Sequence, residues 1–119
     1  MDTITGEIKK YWVHLQAGPT NKNPIQARAI IRCYDGNNFV LEANFYPGKK
    51  GIPENRYSTK YNLVYLRYPM SMFSQVLDTL RNEKPIYFRF NEPSKVGFIR
   101  TGKEPVGEGE IEELDGTMA

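Results

Sequence analysis

The sequence predicts an α+β domain: a strongly curved, mainly antiparallel sheet of about six strands with one helix, in the order β-β-β-β-α-β-β. Three observations predict it. Six segments alternate apolar and polar residues with the period of a strand. One stretch alone carries apolar residues at helical spacing. Turn residues separate nearly all of these segments. A length of 119 residues fits one domain able to bury its own core.

The first strand is read over 7–16, "EIKKYWVHLQ". Tyr11, Val13 and Leu15 share one side, and Lys10, Trp12 and His14 the other. After the loop "AGPTNKNP", the second strand covers 26–35, with Ala29, Ile31 and Cys33 opposed to Arg28, Ile30, Arg32 and Tyr34. The sequence "DGNN" (35–38) marks a hairpin, because Gly and Asn accept the positive φ of a tight turn. The third strand, 39–47, is expected to turn Phe39, Leu41, Ala43 and Phe45 inward. Val40, Glu42, Asn44 and Tyr46 are expected outward. Residues 48–60 read as a polar loop.

The fourth strand, "YNLVYLRY" (61–68), alternates weakly, which suits cover on both faces. The helix follows. Met72, Phe73, Val76, Leu77 and Leu80 form its apolar stripe, Ser71 is its expected N-cap, Arg81 suits its last turn and Pro85 stops it. The last hairpin sets Ile86, Phe88 and Phe90 against Tyr87 and Arg89. It turns at "NEPSK" and returns through 96–100, where the alternation leaves the side taken by Arg100 open.

Charge divides the chain. Residues 1–103 hold all 16 Lys and Arg with 8 of the 14 acids, a balance of +8. Residues 104–119 hold the other six acids and no base, a balance of −6. The first stretch is therefore taken as the α+β domain and the second as an acidic C-terminal tail. A basic body attracts polyanions. The tail can compete with nucleic acid for that body or recruit a protein partner. Its Val106, Ile111 and Leu114 suit a docking segment.

Little supports catalysis. One His and one Cys make neither a triad nor a metal site. "EGEIEEL" lacks the ligand spacing of a calcium loop, and no helix follows "GKKG" as a phosphate-cradling loop requires. A non-enzymatic protein without metal or cofactor is expected. A single cysteine permits no intrachain disulfide, so a reducing, cytoplasmic setting is expected. No apolar run is long enough to span a bilayer, and no membrane partner is expected.

The aromatic content, 13% with eight of fifteen rings tyrosine, favours half-exposed strand faces over a purely apolar core. The outward positions Lys10, Trp12, Arg28, Arg32, Tyr34, Tyr87 and Arg89 mix cations with flat rings, here expected on one sheet surface. Single-strand nucleic-acid binders use this mixture: cations follow phosphates and rings stack on bases. Lys49 and Lys50, with Arg56 and Lys60, add a basic rim. The alternative use of the same face is a protein interaction or assembly surface, since Tyr, Trp and Arg also dominate interface hot spots. A sheet covered by a single helix leaves apolar area, so a homodimer is expected.

Two stretches carry a family resemblance: "FVLEANFYPGKKGI" (39–52), a strand running into a basic glycine-bearing segment, and "MFSQVLDTL" (72–80), the helix after a strand. Together they resemble the single-stranded-DNA-binding transcriptional coactivators of the PC4-like type, whose fold the plant Whirly proteins share in outline. The resemblance implies a four-stranded curved sheet followed by a helix, dimerisation through helices, and single-strand binding on the sheets. It implies that Lys49 and Lys50 match the basic segment, and Phe73 and Leu77 the helix anchors. It covers about a third of the chain. The segment "PENRYSTKYNLVYLRYPMS" and the last hairpin depart from it.

Overall fold

A computed structural model describes residues 2–18, 26–48 and 50–102, and the fold is α+β. The strands are β1 (Thr3–Ile8), β2 (Lys10–Leu15), β3 (Ala29–Asp35), β4 (Asn38–Tyr46), β5 (Arg56–Ser58), β6 (Leu63–Pro69), β7 (Ile86–Asn91) and β8 (Val96–Thr101). A 3-10 turn at Met70–Met72 leads into the helix α1 (Phe73–Asn82), between β6 and β7. The expected sequence of strands, helix and final hairpin is present. The expected single sheet is not. The strands form a three-stranded sheet, β1-β7-β8, and a five-stranded sheet, β2-β3-β4-β6-β5.

The division begins at Lys9. The stretch read as one strand over 7–16 pairs with β7 before Lys9 and with β3 after it. Ile8 and Tyr11 both face the core, while Lys9 and Lys10 are exposed. Two exposed residues where alternation allows one act as a bulge, which bends a strand and redirects it. The Lys9 N–H donates to the Tyr34 carbonyl at 2.8 Å, and its ammonium meets Asp35 at 3.4 Å. One chain segment thus serves both sheets at a corner.

The polar loop expected over 48–60 contains β5, which pairs antiparallel with β6. β6 in turn runs parallel to β4, and the other pairings are antiparallel. Asn55 fastens this crossover. Its Oδ1 accepts the Arg67 N–H at 2.7 Å, and its Nδ2 donates to the Lys95 carbonyl at 3.0 Å in the β7–β8 turn.

Both sheets and the helix bury their inner faces in one cluster. Ala29, Ile31, Cys33, Leu41, Ala43, Phe45, Val64 and Leu66 come from the five-stranded sheet, and each is at most 1% exposed. Ile8, Ile86, Phe88 and Phe90 come from the three-stranded sheet, and Val76 and Leu80 from α1. Each large side chain so buried contributes about 1.5–3 kcal/mol. Phe45 stacks on Tyr68 at 5.3 Å and meets Phe73 edge-on at 5.1 Å.

Two local expectations are corrected. Ser71 does not cap the helix. It lies inside the 3-10 turn, Met72 takes the N-cap position without a side-chain bond, and the Phe73 N–H is satisfied by the Met70 carbonyl. Phe39 does not face the core. A register shift between Cys33 and Tyr34 sets Phe39 opposite Tyr34 and leaves Val40 packed against the core. Among the described residues, no helix is long and apolar enough to cross a membrane.

Candidate functional site

The register of the five-stranded sheet builds one transverse row across its outer face: Trp12, Arg32, Glu42, Tyr65 and Arg56, one residue from each strand. Alternation puts these residues outside because Tyr11, Cys33, Leu41 and Val64 pack inward. The Arg32 guanidinium lies over the Trp12 ring at 4.9 Å and near the Phe39 ring at 5.6 Å. Its Nε donates to Glu42 at 2.9 Å. At the other end, Arg56 and Arg67 flank the Tyr65 ring at 4.7 and 5.3 Å.

The neighbouring row begins with Lys10 and Tyr34. Trp12 Nε1 donates to the Tyr34 hydroxyl at 3.0 Å, and Tyr34 and Phe39 lie 5.3 Å apart. Trp12 is still 41% exposed. Lys10 donates to Asn37 Oδ1 at 3.3 Å in the β3–β4 turn, where Gly36 takes a φ of 64°. On the far side, Arg67 Nη1 donates to the buried Tyr46 hydroxyl at 2.7 Å. Rings and guanidinium groups are thus held in place by each other. Held rings lose less freedom when a flat ligand stacks on them.

The expected site residues do not form a single surface. Lys10, Trp12, Arg32 and Tyr34 come together on β2 and β3. Arg28 lies just before β3, and its guanidinium donates to the Gly18 carbonyl, which ties two chain segments together. Lys50 is exposed between Gly48 and Gly51, both at positive φ. Lys49 lies outside the described residues, as do residues 104–119. Tyr87 and Arg89 are exposed on β7, in the other sheet. They are separated from Trp12 because β7 pairs with β1 and β8, and the chain changes sheets at Lys9.

Arg100 is exposed on β8 opposite Tyr87, so it joins Tyr87 and Arg89. Sequence reasoning also missed Phe39, Tyr65 and Arg67. The spacing of Tyr65 and Arg67 in β6 does carry a signal, one side of a strand. Nothing local shows that β6 lies beside β4.

Cys33 is fully buried, and burial pushes its thiol up to about 12, so it is no nucleophile. His14 is exposed and lies 3.2 Å from Gln16 Oε1. Among the described residues, no three His, Cys, Asp or Glu side chains are placed to hold a metal ion. In comparison with known proteins, no family model, curated protein or solved structure matches the chain.

Proposed function

We propose that the protein binds single-stranded nucleic acid, DNA or RNA, through the outer face of its five-stranded sheet, as a non-enzymatic regulatory or accessory factor. The observation that carries this reading is the Trp12, Arg32, Tyr34 and Phe39 cluster. It combines an exposed indole, two further rings and a guanidinium within contact distance. Bases offer π-faces to such rings, and each stack contributes about 1–3 kcal/mol. Lys10 and Arg56, on the two edge strands of the face, and the exposed Lys50 suit the phosphates that follow the bases. The resemblance to single-stranded-DNA-binding coactivators points the same way.

Homodimerisation belongs to the same proposal. The apolar stripe of α1 is used inside the chain, so a second copy would cover other area, such as Leu15, which is 66% exposed at the end of β2. The acidic residues 104–119 act in this reading as a competitor for the basic face or as a site for a protein partner.

Fluorescence anisotropy of labelled single-stranded oligomers tests it, with the full chain and with residues 104–119 removed. Micromolar binding is expected at low salt, falling log-linearly as salt rises. An apolar interface would show no such slope. Absence of binding to any oligomer at low salt, tail removed, would end the proposal.

A further inference from the structure

We infer that the three-stranded sheet carries a second, separate strand-binding face, so that one chain holds two segments of single-stranded nucleic acid at once. The inference rests on the reading above and adds a bridging activity to it.

Topology separates the two faces. The inner sides of both sheets bury into the same core, so their outer sides look away from each other. On the three-stranded sheet, register sets Glu7, Tyr87 and Arg100 in one row and Thr5, Arg89 and Phe98 in the next. Tyr87 is 38% and Phe98 37% exposed. Arg100 lies 5.8 Å from the Phe98 ring. Between the rows is an open cleft of about 400 Å³ lined by Thr5, Glu7, Tyr87, Arg89 and Arg100.

The cations here differ from Arg32 and Arg67 on the first face and resemble Arg56, which among the described residues meets only a ring. Arg32 is held by Glu42 and Arg67 by Tyr46. Arg89 and Arg100 have no ion pair and no hydrogen bond among the described residues. Two guanidinium groups without a polar partner among the described residues, beside two exposed rings, match the repeating phosphate and base of a single strand. Glu7 supplies the one carboxylate in these rows, which leaves the face cationic. A short oligomer cannot contact two faces that point apart. Two short strands can, or two distant stretches of one long strand, and a protein that holds both brings them together.

The test uses the full chain with two short oligothymidines, one carrying a fluorescence donor and the other an acceptor. Native mass spectrometry counts oligomers per chain, which separates true bridging from dimerisation. Two oligomers per chain are expected, with energy transfer that disappears in excess oligomer. The double variant Arg89→Ala/Arg100→Ala should keep one oligomer per chain and the quenching of Trp12, and should lose transfer. A second oligomer that binds only once residues 104–119 are removed also supports the face and identifies those residues as its competitor. One oligomer per chain, tail on or off, with the double variant unchanged, overturns the second face and leaves the first intact. No oligomer on either face overturns both readings.

Discussion

Arg32 stands opposite Trp12 in the β2–β3 ladder, with its guanidinium 4.9 Å from the indole centre, while its Nε is bonded to Glu42 at 2.9 Å. The carboxylate steers the cation over the ring. The same arrangement partly neutralises the charge that a phosphate would meet.

Trp12 is the only tryptophan, so its emission reports on this face alone. Saturable quenching by single-stranded oligomers is expected. Trp12→Ala should weaken binding by on the order of 1–3 kcal/mol, the worth of one stacked ring. Its urea midpoint should fall less than that of a core variant, because the ring is 41% exposed. Binding of the variant at wild-type affinity would remove Trp12 from the site.

Glu42→Gln and Arg32→Ala should act in opposite directions. The first frees Arg32 for phosphate, which should tighten binding and steepen the log–log salt dependence by about one. The second removes that charge and should flatten the slope by about one. Salt titrations by anisotropy read both. Parallel shifts in the two variants would contradict the assigned roles.

Gly97 faces the core from β8, where a Cβ would lie 2.4 Å from Leu66 Cδ2 and 3.2 Å from the Arg89 carbonyl oxygen. Gly97→Ala should therefore destabilise the fold by about 1–3 kcal/mol through overpacking. A urea titration measures the loss. An unchanged midpoint would mean that Gly97 does not lie against Leu66.

Stability should fall above pH 9. Burial raises the Cys33 thiol from 9.0 to about 12. Burial, and then the neighbouring Cys33, raises the Tyr68 hydroxyl from 10.0 to about 12. Below their ordinary values both groups are protonated in the folded and unfolded chains, and their contribution is complete. Between those values and about 12, only the unfolded chain releases the protons, so rising pH favours unfolding. Melting temperatures from pH 8 to 11 should decline, and Cys33→Ala should delay the onset towards pH 10. The folded protein should also resist thiol reagents at pH 8 and react once denatured.

Several features were legible because they are local. The stripe of Met72, Phe73, Val76, Leu77 and Leu80 runs from the 3-10 turn into one helix, and those residues do pack against the core. The "DGNN" turn lies between β3 and β4. Other features were hidden by local regularity. Around Lys9 and Lys10, two polar residues conceal the extra position at which the strand changes sheets. At Tyr34 and Phe39, a bulge turns a ring outward that strict alternation assigns to the core. The pairing of Lys10, Trp12, Arg32 and Tyr34 was readable from the sides of two strands. Phe39, Tyr65 and Arg67 were not, because the bulge and the parallel crossover that place them depend on distant residues.

The sequence by itself determined the class of fold, the helix between β6 and β7, most inward-facing side chains and the contrast between a basic body and an acidic end. All of these follow from spacing and composition within short windows. Only the tertiary structure decided how the strands divide between sheets, because pairing depends on partners far along the chain. That division separates Tyr87, Arg89 and Arg100 from Trp12 and Arg32. One expected surface becomes two, facing away from each other across a shared core.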